Sequence, residues 1–106
     1  MKSGRQFKFG DVILTEVFFT DLIHKKRRPA LVLFEKYSNV IVAGITSNPS
    51  MDGVLLRKRK GLPVDSVVKL NYIFTIDKKS VVKKLCEITD REKEEVCSAL
   101  NLCLPC

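Results

Sequence analysis

Short apolar runs bounded by turn residues recur along the chain. The run at 11–19, "DVILTEVFF", is rich in β-branched and aromatic residues and follows Gly10, which is typical of a strand. Six further runs predict strands at 30–37, 39–45, 53–57, 66–70, 72–76 and 81–88. The runs on either side of Ser38 lie close enough to form an antiparallel hairpin. Six or seven short strands at intervals of about 8–12 residues predict a sandwich or a small barrel.

The C-terminal segment instead has the period of a helix. Thr89 is followed three residues later by Glu92, which predicts a capping box at the start of the helix. The apolar positions that follow recur at i, i+3, i+4 and i+7: Val96, Ala99, Leu100 and Cys103. One face of this helix can therefore pack on the sheet. We expect the helix to end near Asn101 and to have a structural role.

The charge of the chain is unevenly distributed. The 106 residues carry a net charge of +7, with 17 Lys and Arg against seven Asp and Glu in residues 1–84. A basic body of this kind indicates a phosphate-bearing or acidic partner. No apolar run approaches the ~20 residues that span a bilayer, and the start lacks the apolar centre of a signal peptide. We expect one cytoplasmic domain over residues 1–106.

The four cysteines, Cys86, Cys97, Cys103 and Cys106, allow two interpretations. Three of them fall in the last ten residues, where they are poorly placed to cross-link a domain. "CLPC" has C-x-x-C spacing, and with Cys86 and Cys97 it offers the four thiolates of a tetrahedral zinc site. A single C-x-x-C is a weak signal. We therefore favour the interpretation in which two of the cysteines are small core residues and the others belong to a frayed C-terminal tail. We therefore expect no metal and no cofactor.

Few residues are suited to nucleophilic or nucleotide chemistry. The single histidine, His24, is the only available base for a Ser-His-Asp or Cys-His arrangement. The sequence has no GxGxxG, GxxxxGK or HExxH motif. Outside the helix its carboxylates are scattered, without an obvious cluster of metal ligands.

Cations are the most prominent candidates for chemistry. "KKRR" at 25–28 is predicted between strands, "RKRK" at 57–60 ends another strand, and Thr46 and Ser47 follow a strand end. A guanidinium holds two phosphate oxygens at once and stabilises charge that develops on them. Charge runs can equally be solvated loops. The few aromatic residues lie mostly in apolar strands, which argues against an open stacking platform. Composition alone indicates a basic β domain that binds nucleic acid.

The order of four segments resembles the MazF/PemK family of toxin endoribonucleases from type II toxin–antitoxin systems. They are "GDVILTEVFFTDL" (10–22), "RRPALVL" (27–33), "VIVAGITS" (40–47) and "GLPVDSVVKLNYIFTIDK" (61–78). Each segment alone is a weak signal. Together with the terminal helix they resemble the family in order from about residue 8 to residue 100.

This resemblance implies a mainly β fold, a small SH3-like barrel with a C-terminal helix, that forms a homodimer. It implies cleavage of single-stranded RNA at short sequences without a metal, and a cognate antitoxin whose acidic tail occupies the basic groove. The family's Arg-Pro arginine falls on Arg28, a phosphate clamp and candidate general acid, and its Ile-Thr-Ser threonine on Thr46, with Ser47 as a lesser candidate. The remaining cations of the two runs are expected to bind RNA: Lys25, Lys26, Arg27, Arg57, Lys58, Arg59 and Lys60. The implied reaction is attack by the RNA's 2′-hydroxyl on the adjacent phosphate, which leaves a 2′,3′-cyclic phosphate and a 5′-hydroxyl.

The chain departs from the family pattern at two places. Many members carry a Gly-Ser-Glu-Gln loop before Arg-Pro, whereas this loop is "DLIHKK" and brings His24 in place of a glutamate. His24 is either a general base or a loop histidine without a role. Phe74 stands where many members have arginine before Thr-Ile-Asp. These two departures favour one rival function, an RNA-binding barrel without cleavage. The resemblance implies a second rival, a protein inhibitor of a topoisomerase like the related CcdB-type toxins, which share this fold.

Overall fold

The computed structural model describes residues 6–18, 25–48, 50 and 52–104. Its strands are β1 (Asp11–Phe18), β2 (Lys25–Lys36), β3 (Asn39–Thr46), β4 (Val54–Leu56), β5 (Ser66–Asp77) and β6 (Val81–Glu87). A 3₁₀ turn at Lys78–Ser80 joins β5 to β6, and the chain ends in helix α1 (Asp90–Cys103). The predicted mainly β fold with a C-terminal helix is confirmed.

The strands form one antiparallel sheet. Within the described residues its order is β4-β5-β3-β2-β1-β6, and no ladder joins the outer strands β4 and β6. The segment after β4 instead lies against β6 at Gly61, where a Cβ would collide with the Leu85 carbonyl oxygen. Gly61 also has a φ of +90°, which favours glycine. This close approach brings the two ends of the sheet together without pairing them.

Two strand predictions differ from the structure by more than one residue at a boundary. β2 begins at Lys25, so the cation run 25–28 lies within a strand that pairs with β1, and its predicted position between strands is wrong. Cross-strand pairing of Arg27 with Glu16 offsets part of the charge repulsion, with Nε and Oε2 3.7 Å apart. The predicted strands 66–70 and 72–76 form the single strand β5, because both pair with β3 on either side of a bulge.

Alternation along the strands divides most of the buried apolar side chains of the described residues between two core clusters. The first cluster, beneath α1, contains Val12, Leu31, Ala43, Ile45, Val54, Leu56, Leu62, Val68, Ile88 and Val96. The second contains Phe7, Ile13, Ala30, Val32, Val40, Val42, Ile76 and Val81, with Phe74 packed against it. Neighbouring residues such as Leu31 and Val32 fall in different clusters, as the two-residue period of a strand requires.

The predicted capping box of α1 is confirmed and carries an additional ion pair. Thr89 N donates to Glu92 Oε1 at 2.8 Å, and Glu92 N donates to Thr89 Oγ1 at 3.1 Å. The Arg59 guanidinium donates to both carboxylate oxygens of Glu92, at 2.7 and 2.6 Å. Burial of Glu92 opposes ionisation, but the hydrogen bonds from Arg59 and Thr89 outweigh it and lower the pKa of this carboxyl.

Candidate functional site

A pocket of about 530 Å³ opens where β3 ends, close to the first residues of β2 and to the bulge of β5. Its lining from β1, β2, β3 and the residue that follows β3 is Leu14, Arg28, Pro29, Gly44, Ile45, Thr46 and Ser47. The other side is formed by Gly61, Leu62, Pro63, Val64, Ser66, Lys69, Tyr72, Phe74 and Leu85. Its size falls within the roughly 300–1,000 Å³ typical of small-ligand sites.

Sheet register brings the two predicted catalytic residues into this pocket. The β2–β3 ladder ends where Ala30 pairs with Gly44, and Arg28 and Thr46 each lie two residues beyond that last pair. Arg28 is exposed and Thr46 is half-buried at the end of β3. Pro29 follows Arg28 and pairs with Leu14 of β1, which fixes the backbone next to the arginine. The pocket therefore contains both a cation and a hydroxyl in its lining.

Hydrogen bonds order the chain directly after Thr46. Asn48 N donates to Thr46 Oγ1 at 3.2 Å, which leaves the hydroxyl proton of Thr46 available to a ligand. Asn48 Oδ1 in turn accepts from Ser50 N at 3.1 Å and from Ser50 Oγ at 2.7 Å. These short-range bonds hold the turn that carries the exposed Ser47 at the edge of the pocket.

Aromatic side chains and a lysine from β5 form another part of the pocket wall. The rings of Tyr72 and Phe74 lie 5.3 Å apart between centroids and are inclined by 39°. Lys69 Nζ lies 5.5 Å from the centroid of the Tyr72 ring. Sequence reasoning missed Lys69 and Tyr72, although their neighbour Phe74 was noted. The i, i+2 spacing of Tyr72 and Phe74 places both rings on one face of a strand and was the available signal.

Comparisons with known proteins agree with this fold. The family model described as "PemK-like, MazF-like toxin of type II toxin-antitoxin system" matches residues 8–104. The chain belongs to this family. The same relationship was predicted from its sequence motifs, and that prediction is confirmed.

Two solved structures share the fold of this MazF-like toxin. One is a MazE–MazF complex from Deinococcus radiodurans, at 18% identity and TM-score 0.76, covering 93% of this chain and 96% of that chain. The other is an endoribonuclease in complex with its cognate antitoxin from a mycobacterial species. It has 18% identity and TM-score 0.70, and covers 92% of this chain and 96% of the other. A search of curated proteins found no match.

Among the described residues of the MazF-like toxin, none of the predicted RNA-binding cations lines the pocket itself. Lys26 and Arg27 are exposed on β2 beside Arg28, whereas His24 and the side chain of Lys25 lie outside the described residues. In the second run, Lys58 N donates to Asp65 Oδ1 at 2.8 Å and Arg59 pairs with Glu92. This second run lies beyond the pocket lining, although Lys60 directly precedes Gly61.

Arg59 has a different environment from the other predicted RNA-binding cations. Only 20% of its side chain is exposed, and its Nε donates to the Arg57 carbonyl at 2.9 Å. Its bonds hold the loop after β4 against the start of α1. We therefore assign Arg59 to the stability of the toxin and leave it out of the proposed RNA surface.

The cysteines of the toxin differ in exposure. Cys86 is half-buried, and burial raises the pKa of its thiol, whereas Cys97 and Cys103 are exposed. Cys106 lies outside the described residues. Within the described ranges, no three His, Cys, Asp or Glu side chains are grouped as metal ligands. No helix in the same ranges is long and apolar enough to cross a membrane.

Proposed function

We propose that this MazF-like toxin is a metal-independent endoribonuclease that cleaves single-stranded RNA at short sequences. The observation that carries the proposal is the meeting of Arg28 and Thr46 in one pocket of a basic domain. The mycobacterial relative is an endoribonuclease with the same fold. A pocket with a cation and a hydroxyl suits a phosphodiester, whose charge grows as phosphorus becomes pentacoordinate.

The proposed reaction uses the RNA's own 2′-hydroxyl as nucleophile. The 2′-oxygen forms a bond to the adjacent phosphorus, and the bond from phosphorus to the 5′-oxygen breaks. The products are a 2′,3′-cyclic phosphate and a 5′-hydroxyl, so no water is consumed in this step. The 2′-hydroxyl loses one proton to a base and the 5′-oxygen takes up one proton from the solvent, so the numbers of bonds and protons balance.

Arg28 and Thr46 have separate roles in this proposal. Arg28 binds two non-bridging phosphate oxygens, and since a guanidinium stays charged, we assign it the phosphate clamp rather than proton transfer. The Thr46 hydroxyl donates to the same phosphate, and Ser47 is the alternative donor at the pocket edge. Together they position the phosphate for attack, which is the main contribution that such a reaction needs. His24 remains the candidate acceptor of the 2′-hydroxyl proton.

The partners of the toxin follow from the same charge distribution. Both solved relatives contain an antitoxin, a MazE chain in one case. We propose that a cognate antitoxin binds this chain through an acidic segment laid along Arg28 and the exposed cations of β2. We further propose a homodimer that acts on RNA in the cytoplasm.

A cleavage assay tests the proposal. Purified toxin is incubated in EDTA with a long mixed-sequence RNA, beside Arg28→Ala, Thr46→Val and the control Arg91→Ala, an exposed arginine of α1. We expect discrete cuts by the wild type and the control, and at least about a 100-fold lower rate for either pocket variant. Intact RNA with the wild type over a wide protein range, or full activity of Arg28→Ala, would contradict it.

A further inference from the structure

Tyr72 presents an aromatic ring to solvent inside the proposed RNA pocket. Tyr72 is 58% exposed, although large aromatic residues usually bury most of their surface. The bulge of β5 accounts for this position. Gly44 pairs with Lys69 and the preceding Ala43 pairs with Ile73, so residues 70–72 bulge out of the ladder.

The ring is held in place from two directions. On one side is Phe74, which itself packs against the second core cluster and is thereby fixed to the sheet. On another side is Gly44, where an added Cβ would come within 3.0 Å of the Tyr72 ring carbon Cδ2. A side chain at position 44 would be in tight contact with the ring, so the absence of one lets the ring lie against the strand. Tyr72 is therefore an exposed ring on a rigid support.

The surroundings of the ring are cationic. Lys69 Nζ lies 5.5 Å from its centroid, in the range of a cation–π contact. Arg28 lines the same pocket of about 530 Å³. A ring beside one cation, with a second cation in the lining of the same pocket, matches the sites that bind single-stranded nucleic acid. In such sites bases stack on aromatic side chains and phosphates meet positive charge.

We propose that Tyr72, supported by Phe74 and Gly44, is a stacking site for one nucleobase of the RNA whose phosphate binds Arg28 and Thr46. This inference rests on the proposed function and adds a base-binding residue to it. Lys69 attracts the phosphate next to the stacked base. A purine covers more of the ring than a pyrimidine, so the site favours adenine or guanine over uracil. In this proposal Phe74 supports the stacking ring of Tyr72. Many family members have arginine at the position of Phe74.

The composition of the chain provides a direct optical test. The protein has two tyrosines and no tryptophan, and the other tyrosine, Tyr37, is 87% exposed in the turn between β2 and β3. That turn lies at the opposite end of β3 from Thr46. In Tyr37→Leu the remaining tyrosine emission comes from Tyr72. In Tyr72→Leu it comes from Tyr37, which makes the two variants matched controls for each other.

The experiment titrates full-length protein with the single-stranded oligonucleotides (dA)12 and (dU)12, which lack the 2′-hydroxyl and so resist the proposed cleavage. We expect bound (dA)12 to quench the tyrosine emission of Tyr37→Leu and to leave that of Tyr72→Leu unchanged. With fluorescein-labelled (dA)12, we expect anisotropy to show about tenfold weaker binding by Tyr72→Leu, in the range for loss of one stacked base. We expect Tyr37→Leu to bind like the wild type, and (dA)12 to bind more tightly than (dU)12. Circular dichroism verifies that both variants are folded.

Unquenched Tyr72 at saturation, or equal affinities of Tyr72→Leu and the wild type, would overturn the stacking site. Normal oligonucleotide binding by Tyr72→Leu, combined with weakened antitoxin binding, would assign the ring to the protein partner instead. The stacking site and the nuclease activity can be rejected independently of each other. Quenching of Tyr72 without RNA cleavage would reject the nuclease alone, whereas cleavage that is indifferent to Tyr72→Leu would reject the stacking site alone.

Discussion

The ion pair of Arg59 with Glu92 is expected to be a major contributor to the stability of the fold. It joins the loop after β4 to the first turn of α1 through two hydrogen bonds of 2.7 and 2.6 Å. The side chains of Arg59 and Glu92 are only 20% and 11% exposed, so the pair is close to buried. Arg59→Met keeps the aliphatic stem of the side chain and removes the charge, which leaves Glu92 ionised with only its cap bonds.

The expected cost follows from that burial. Removing one partner of a fully buried pair costs roughly 3–5 kcal/mol, whereas exposed pairs contribute about 0–1 kcal/mol. Since this pair lies nearer the buried limit, we expect Arg59→Met to lower the free energy of unfolding by about 2–3 kcal/mol. For a domain of this size that corresponds to a fall in Tm of roughly 10 °C.

Urea and thermal unfolding, followed by circular dichroism, measure this loss. Arg91→Met on the exposed side of α1 is the matched control and should stay within about 0.5 kcal/mol of the wild type. Glu92→Gln keeps the capping geometry but loses the charge. The double variant Arg59→Met/Glu92→Gln then gives the coupling energy of the pair. A loss below about 1 kcal/mol in Arg59→Met, as for an exposed pair, would refute this account of the contact.

The pH dependence gives a second readout of the same pair. The folded-state pKa of Glu92 is lowered from its ordinary value of 4.5, so its contribution is present above that pH. It is lost as the pH falls through the folded-state pKa, because the unfolded chain then binds the proton more readily. We therefore expect the wild type to lose more stability than Arg59→Met on acidification below pH 4.5. Parallel stability curves of the two proteins in that range would contradict the assignment.

Three further substitutions test other parts of the structure. Gly61→Ala should destabilise the fold by about 1–3 kcal/mol in urea unfolding, because the added Cβ strains a positive φ and collides with the Leu85 carbonyl. If the variant is as stable as the wild type, the loop does not pack on β6. Val96→Ala should lower the free energy of unfolding by about 2 kcal/mol in the same assay, because Val96 is fully buried between α1 and the sheet. A loss near zero would mean that α1 does not pack on the sheet. Lys69→Met should reduce the slope of log K against log salt concentration for single-stranded RNA by about 1, and an unchanged slope would place Lys69 away from the phosphates.

Local patterns in the sequence predicted most of the fold. The capping box at Thr89 and Glu92 is a short-range device, so its two residues suffice to locate the start of α1. The strands β1 and β3 were likewise marked by their own apolar content. The extension of β2 to Lys25 was not predictable in this way, because four adjacent cations disfavour a strand until β1 supplies pairing and Glu16.

The pocket was only partly predictable because it depends on pairing between distant strands. Arg28 and Thr46 were found through the resemblance to the MazF/PemK family, and the register of β2 and β3 explains why they share a pocket. The i, i+2 spacing of Tyr72 and Phe74 predicts that both rings share one face, but the exposure of Tyr72 depends on the bulge of β5, which that spacing does not reveal. The role of Arg59 was also hidden, since its partner Glu92 lies 33 residues further along the chain.

The identity of the nucleophile is the most direct test of the central claim. Cleavage of a short RNA in EDTA is measured after its cut site has been mapped, beside the same RNA with one 2′-deoxynucleotide immediately 5′ of the scissile phosphate. We predict that this single substitution abolishes the cut while binding persists, and that the intact RNA yields a 2′,3′-cyclic phosphate and a 5′-hydroxyl. Cleavage of the deoxy-substituted RNA at an undiminished rate would contradict the account, because the nucleophile would then have to be another group.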